Sequence, residues 1–171
     1  MGWTSTYVGK NRTREDLLKN EIFCGNSNDI DYYEIRGSNI WVIAHNEDVK
    51  YAELFLTKYV NGEFYWKDIS ISMHPYYYNC GKKFVKMAKE IYSGVNKNYY
   101  ADEWFKNWEK ENEKSKNKNN LIKSLKVGDT IEFLTANYGG KKQWQVSQIE
   151  PKILFEGYNL RGWKKQEFKI I

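Results

Sequence analysis

The sequence is poor in the residues that most often carry chemistry: its 171 residues include only two histidines, two cysteines and two prolines. No CxxC or HxxxH arrangement occurs, and the cluster His45-Asn46-Glu47-Asp48 is expected to be a loop and not a ligand set, so the sequence predicts no metal site. Neither a GxGxxG nor a GxxxxGKS/T stretch occurs, so a glycine-rich phosphate loop is not predicted, and we expect no cofactor.

Long apolar runs are also missing. There is no stretch of about 18 apolar residues, so a membrane-spanning helix is not expected. The first residues, MGWTSTYVGK, lack the basic start and the apolar run of a secretion signal. Without such a signal, Cys24 and Cys80 are expected to be reduced thiols, and the predicted location is the cytoplasm.

Aromatic residues, in contrast, are abundant at 17% of the chain, with 14 Tyr, 8 Phe and 7 Trp. Each buries a large area, so a small number of them can build a core. Charge is distributed unevenly. Of the formal net charge of +5, nearly all lies from residue 121 onward, where nine basic residues stand against five acidic ones.

The pattern of residues 1–115 predicts an α+β domain, with an antiparallel sheet and helices packed on one face of it. Asn61-Gly62, between two segments of alternating apolar residues, is the strongest hairpin signal in the chain. Thr13 and Asp16 have the spacing of a capping box, which indicates the start of a helix.

A helix with an aromatic stripe precedes the predicted end of this domain. Tyr100, Trp104 and Trp108 lie four residues apart, and we expect the face that they share to pack on the sheet. The segment EKENEKSKNKNN that follows contains no apolar residue, and it predicts a linker at residues 116–120.

Residues 121–171 have a different pattern. Short strands alternate with glycine-containing turns, which predicts a small β-barrel of the SH3-like kind. The full prediction is therefore an α+β domain, a linker and a small β-barrel domain.

The stretch HPYYYNC offers a possible nucleophile. Cys80 precedes a predicted helix, whose N-terminus would lower the pKa of its thiol, and His74 lies close enough in the chain to act as its base. An enzyme centred on Cys80 is therefore one hypothesis. The alternative is that Cys80 is a small buried apolar residue and His74 an ordinary loop residue, since no third orienting residue is identifiable.

The three tyrosines of the same stretch have two interpretations. In an extended segment, Tyr76 and Tyr78 would point one way and Tyr77 the other. They could form an aromatic corner packed under the helices, or a surface that binds a partner or stacks on bases.

Basic and aromatic residues are close together in the last part of the chain. Lysine and arginine neutralise phosphates, and a tryptophan can stack on an unpaired base or anchor a protein interface. Ordinary solubility is the alternative explanation of this charge. The candidate binding residues here are Lys141, Lys142, Trp144, Arg161, Trp163, Lys164 and Lys165.

Several segments resemble a group of small uncharacterised proteins encoded by bacteriophages and prophages. The similar segments are MGWTSTY, AELFLTKYVNGEFYWKDIS, PYYYNC, NYYADEWFKNWEK and LKVGDTIEF, which together touch most of the chain in patches. Gly81 stands where that group usually has proline, and His74 where it usually has glycine. The resemblance implies no activity. It implies an accessory protein in the cytoplasm of a bacterial host.

These observations lead to one hypothesis and two alternatives. The first is a non-enzymatic phage or prophage accessory protein that binds a macromolecular partner and inhibits a host nucleic-acid-dependent defence factor. The partner would then be a host or phage protein, such as one in a nucleic-acid-binding complex. Direct binding of nucleic acid and an enzyme with Cys80 as nucleophile are the alternatives.

Overall fold

The computed structural model describes residues 2–19, 28–46, 51–70, 74–94 and 99–171. The chain divides into two compact units, unit 1 (Met1–Asn112) and unit 2 (Glu113–Ile171). Unit 1 contains a five-stranded sheet and unit 2 a four-stranded sheet, and every strand pair in both is antiparallel. The predicted α+β class with antiparallel sheets is therefore confirmed.

The sheet of unit 1 has the strand order β1-β5-β4-β3-β2. Its strands are β1 (Thr4–Tyr7), β2 (Asn28–Arg36), β3 (Asn39–Asn46), β4 (Tyr51–Val60) and β5 (Glu63–Asp68). Asn61 and Gly62 join β4 to β5 with φ angles of 55° and 87°. Both angles lie in the left-handed region that Asn and Gly tolerate, so the predicted hairpin is confirmed.

The helices of unit 1 are α1 (Arg14–Lys19), α2 (Lys82–Gly94) and α3 (Tyr99–Ser124), and Pro75–Tyr78 forms a 3₁₀ turn. The predicted capping box of α1 is confirmed. The Asp16 backbone N–H donates to Thr13 Oγ1 at 3.0 Å, and the Thr13 N–H donates to Asp16 Oδ2 at 3.2 Å. These two bonds satisfy donors that the first helical turn leaves without partners.

Side chains are buried on both faces of this sheet. On one face, the helical residues Phe84, Trp104 and Trp108 pack with Ile43 and Leu54 of the sheet. This burial confirms the predicted packing of the α3 stripe, although the Tyr100 side chain lies outside the described part of the structure.

The other face has its own core and its own helix. There Leu17 and Leu18 of α1 pack with Val42 and Phe64. The prediction that helices cover one face only was therefore wrong. The cause is β3, in which every residue from Ile40 to Ala44 is buried, because a strand that is apolar on both faces needs cover on both.

Residues 116–120, predicted as a linker, lie inside α3, and the division between the units falls in the same helix. Asn117, Asn119 and Asn120 are weak helix formers, but they extend a helix that begins at Tyr99, and extending a helix costs far less than starting one. This segment can therefore be helical with its side chains in water and no apolar stripe. The linker was predicted because this segment has no apolar residue, but a segment without an apolar stripe can still be helical.

The sheet of unit 2 has the order β8-β7-β6-β9, with β6 (Thr130–Phe133), β7 (Gln143–Gln148), β8 (Leu154–Phe155) and β9 (Phe168–Ile170). A 3₁₀ turn, Trp163–Lys165, lies between β8 and β9. One apolar cluster forms the core, and its buried members are Leu125, Ile131, Phe133, Val146, Phe155, Leu160, Trp163 and Phe168.

Candidate functional site

The stretch from His74 to Cys80 begins with the 3₁₀ turn and is not extended. The Tyr76 N–H donates to His74 Nδ1 at 3.2 Å, so the imidazole caps the turn. Tyr77 and Tyr78 are both buried, whereas Tyr76 is 42% exposed. The expected alternation of the three tyrosines was therefore wrong, because a 3₁₀ turn places successive side chains about 120° apart.

The two buried tyrosines form an aromatic corner. The Tyr78 ring lies 5.6 Å from the ring of Trp104, and Tyr77 lies 5.7 Å from the ring of His74, both in edge-on arrangements. Tyr76 remains at the surface, where its hydroxyl accepts a hydrogen bond from Asn39 Nδ2 at 2.9 Å. Tyr77 and Tyr78 thus have a packing role, and Tyr76 is available for a surface role.

Two side chains of β2 hold the start of α2. Glu34 Oε1 accepts from the Gly81 N–H at 3.0 Å, and Arg36 Nη1 donates to the Asn79 carbonyl at 2.8 Å. A Cβ atom at position 81 would lie 2.6 Å from that same Glu34 oxygen. A side chain at position 81 would therefore require the Glu34 carboxylate to shift, and a proline at this position would lack the N–H that donates to it.

Cys80 is buried, and its environment disfavours the thiolate. Burial raises the pKa of the Cys80 thiol to about 12, and the carboxylate of Glu34 adds to the rise. This is the opposite of the lowered pKa expected at a helix N-terminus, because desolvation outweighs the helix dipole. His74 uses Nδ1 to cap the 3₁₀ turn, so the geometry gives the Cys80–His74 nucleophile hypothesis no support.

The second histidine pairs with an acid. His45 Nδ1 on β3 lies 2.9 Å from both carboxylate oxygens of Asp31 on β2. Among the described residues, no group of three or more His, Cys, Asp or Glu side chains is placed to hold a metal ion.

In unit 2, Trp163 does not lie at the surface with the lysines that follow it. It is only 4% exposed, and its ring lies 4.9 Å from that of Phe155 and 5.6 Å from that of Phe168. The proposal of Trp163 as a stacking residue was therefore wrong. The 3₁₀ turn directs Trp163 inward and leaves Lys164 and Lys165 exposed.

Lys141 and Trp144 do lie together, with two partners that the sequence argument did not identify. The Lys141 ammonium lies 4.8 Å from the centroid of the half-buried Trp144 ring and 2.5 Å from Glu156 Oε1. The Tyr158 ring meets Trp144 edge-on at 6.3 Å and is 65% exposed. These four residues are called the Trp144 cluster below.

Glu156 holds this cluster from an unusual backbone position. Its φ angle is 49°, and Gly157 follows with a φ angle of 83°, as in a tight two-residue turn. Its carboxylate accepts from Lys141, which lowers the pKa of Glu156, and also from the Gln145 N–H at 3.4 Å. The Glu-Gly dipeptide between Phe155 and Tyr158 was the sequence signal for this turn.

The remaining basic candidates are exposed and do not belong to the Trp144 cluster. They are Lys142, Arg161, Lys164 and Lys165. Lys142 lies close to Glu132, whose pKa is lowered mainly by a hydrogen bond from Lys169 and further by the charge of Lys142. The predicted set is thus divided into a paired lysine with its aromatic cluster, a lysine beside an acid, and an exposed basic segment at 161–165.

The division into units sharpens the charge asymmetry. Unit 2 has 12 basic and 6 acidic residues, a net charge of +6, whereas unit 1 has 15 basic and 16 acidic residues, a net charge of −1. Such a difference in sign directs an acidic partner toward unit 2.

Comparison of the chain with protein-family models, with curated proteins and with solved structures gave no match. Of the helices in the described ranges, none is both long enough and apolar enough to cross a bilayer.

Proposed function

We propose that this protein binds an acidic macromolecular partner through unit 2. The observation that carries the proposal is the net charge of +6 on this unit, together with the exposed basic segment at 161–165 and the exposed Tyr158 ring. Tyrosine and arginine are, with tryptophan, the residue types that are enriched among the anchors of protein interfaces.

The partner that suits this surface best is a protein. Lys141 is paired with Glu156 and Lys169 with Glu132, so part of the positive charge is neutralised before any ligand arrives. Exposed apolar side chains, such as Leu134 at 48%, accompany the charges. A surface that mixes acids, bases and apolar groups complements an acidic protein better than a uniform array of phosphates.

The biological setting that we propose is a phage or prophage accessory protein in the cytoplasm of a bacterial host. It would inhibit a host nucleic-acid-dependent defence factor by occupying a site on that factor. The resemblance of MGWTSTY and PYYYNC to phage-encoded proteins supports this setting, and the basic surface of unit 2 supports an acidic target.

For unit 2 we propose an SH3-like barrel as the fold that presents this surface. The first strand, β6, pairs with both the next strand and the last, and a 3₁₀ turn precedes the last strand. All four strands contribute to a single apolar cluster, which supports closure of a short, curved sheet around one core.

A co-purification from host lysate tests the function. The full chain is compared with a triple variant, Arg161→Glu, Lys164→Glu and Lys165→Glu, with and without nuclease. The matched control changes three exposed lysines on the helices of unit 1 to Glu: Lys86, Lys106 and Lys110.

We expect a protein that stays bound after nuclease treatment, that the unit 2 variant loses and that the control retains. Retention that disappears with nuclease would indicate nucleic acid as the ligand. Equal loss in both variants would indicate non-specific charge and would contradict the proposal.

A further inference from the structure

A second surface that combines lysines and aromatic rings lies in unit 1, on the same sheet face as α2 and α3. Directly opposite residues of antiparallel strands share a face. Leu56 lies opposite both Trp41 and Lys67, and Lys58 lies opposite Tyr65. Trp41 and Leu56 belong to the core under the helices, so Lys58, Tyr65 and Lys67 lie on that face too, and all three are partly exposed.

The edge strand β1 extends this surface. Ser5 lies opposite Tyr65 and is exposed, and Trp3, just before β1, is partly buried against the same core. α2 packs on β2 and β4, which leaves these side chains at the β5–β1 side of the face. The surface therefore consists of side chains from three adjacent strands beside the 3₁₀ turn.

Its lysines are positioned by aromatic rings. The Lys58 ammonium lies 4.5 Å from the Trp3 ring centroid and 5.3 Å from that of Tyr65. The Lys67 ammonium lies 5.0 Å from the ring of Tyr77, which in turn meets the exposed Tyr76 edge-on at 5.8 Å. An ammonium over a ring keeps its charge and its N–H donors, so Lys58 remains able to bind an anion.

The charge of Lys58 differs from that of Lys141 in its partners. No carboxylate in the described ranges forms an ion pair with Lys58, whereas Lys141 is paired with Glu156. Lys67 is the diagonal neighbour of Lys58 across two strands, a separation of about 7–8 Å in an antiparallel sheet. Two adjacent phosphates of one extended strand can contact lysines at that spacing.

Of the two acids of β5, Glu63 is the one on the face of this surface, because Asp68 lies opposite Phe55 of the other core. It lies two residues before Tyr65 and therefore on the same face, and its hydrogen bond with the phenol raises the pKa of Tyr65. It stands at the end of the strand, beside the turn. A polyanion on this surface would meet repulsion at Glu63.

We propose that this face of unit 1 binds single-stranded nucleic acid. Unpaired bases stack on the exposed ring of Tyr76 and, by displacing the Lys58 ammonium, on the rings of Tyr65 and Trp3. The backbone phosphates contact Lys58 and Lys67. Bases inside a duplex are stacked on one another and cannot reach these rings, so this surface suits a single strand and not a duplex. This proposal concerns unit 1 and does not rest on the function proposed for unit 2.

The test measures binding of a fluorescent fifteen-residue oligothymidylate to the full chain by anisotropy, at several salt concentrations. The charge variant is Lys58→Gln with Lys67→Gln. The ring variant is Trp3→Leu with Tyr65→Val, which keeps apolar packing and strand propensity. The matched control is Lys106→Gln with Lys110→Gln, two exposed lysines of α3. A thermal melt checks that every variant is folded.

We expect the charge variant to weaken binding about tenfold at low salt and to lower the salt slope by about 1–2. The ring variant should weaken binding at least about fivefold with an unchanged slope, since stacking releases no counterions. Glu63→Gln should strengthen binding. The affinity of the control should stay within about twofold of that of the wild type when both are measured at the same salt concentration.

Absence of binding at low salt overturns the proposal, and so does equal weakening by the control. Equal affinity for duplex DNA also overturns it. Loss of polyglutamate binding in the charge variant, with unchanged oligonucleotide binding, assigns the surface to an acidic protein instead. If the ring variant does not fold, quenching of tryptophan fluorescence by the oligonucleotide replaces it. Quenching that is reduced in the charge variant but not in the control supports the proposal, and quenching that is equal in both contradicts it. None of these outcomes affects the 161–165 test of unit 2.

Discussion

The two units differ in what shifts the pKa of their titratable groups. In unit 1, burial is the leading cause at Tyr78, Cys80 and Tyr92, whose pKa it raises, whereas a hydrogen bond with Glu63 is the leading cause at the surface residue Tyr65. In unit 2, hydrogen bonds from lysines are the leading cause, and they lower the pKa of Glu132 and Glu156. Unit 1 therefore excludes water from polar groups, whereas unit 2 arranges its charges at the surface.

The two units also differ in how much apolar core they contain. Unit 1 buries apolar side chains on both faces of its sheet, in two separate clusters. Unit 2 has about 60 residues and one cluster, and a domain of that size has little stability to spare. Its exposed lysines cost little stability to maintain, because they remain in water.

The largest expected effect is on the single core of unit 2. Trp163→Ala removes a buried indole that contacts Phe155 and Phe168, and we expect it to lower the free energy of unfolding of this unit by about 3–5 kcal/mol. For so small a unit, that loss is a large part of the total stability. Hydrogen exchange followed by mass spectrometry should show lost protection in Glu113–Ile171 and retained protection in the sheet of unit 1.

Trp144→Ala is the matched control for this prediction. Trp144 is half-buried at the edge of the same cluster, so the same change should cost clearly less. If Trp163→Ala instead abolished protection throughout unit 1, the two cores would not be independent, and the comparison between the units would fail.

Local signals in the sequence were sufficient for several features of unit 1. The Asn61-Gly62 turn requires two left-handed residues, which only a few residue types accept, so a dipeptide predicts it. Thr13 and Asp16 form both bonds of their capping box within four residues. Such features depend on neighbours in the chain, and a sequence shows those neighbours directly.

The features that the sequence did not predict depend on distant contacts. Trp163 is followed by two lysines and resembles a surface residue, and only its packing on Phe155 and Phe168 shows that it belongs to the core. Glu156 was missed because its partner, Lys141, lies fifteen residues away. Lys58 was missed because its rings come from β5 and from the residue before β1.

A smaller effect is expected from the buried thiol of unit 1. The unfolded Cys80 thiol ionises near pH 9.0, whereas the folded one remains protonated up to about pH 12. Between these values the native state holds one more proton than the unfolded state, so stability falls as pH rises, by at most about 1.4 kcal/mol per pH unit. Urea unfolding between pH 8.5 and 10.5, in a Cys24→Ser background, measures this decline.

Cys80→Ala in the same background is the control, and it should have a shallower decline with pH above 9. A thiol-labelling experiment at neutral pH adds an independent result. We expect Cys80 to react far more slowly than free cysteine, because little thiolate is present. Labelling as fast as that of free cysteine would restore the nucleophile hypothesis and contradict the description of unit 1 as a water-excluding core.

The smallest effect concerns the surface pairs of unit 2. Lys141→Gln should raise the pKa of Glu156 toward its ordinary value, because the largest cause of the lowering is the hydrogen bond from Lys141. A carboxyl whose pKa is lowered by folding stabilises the native state above its unfolded pKa, and that contribution is lost as pH falls through the folded pKa. Side-chain NMR titration measures this shift of the Glu156 pKa. The melting temperature at neutral pH should change little, because both groups are exposed.

Lys169→Gln is the matched change, which should move the pKa of Glu132 and leave that of Glu156 in place. If each variant changed the pKa of both carboxyls by the same amount, the net charge of unit 2 would set these pKa values. The hydrogen bond between Lys141 and Glu156 would then not be what positions Lys141 over the Trp144 ring.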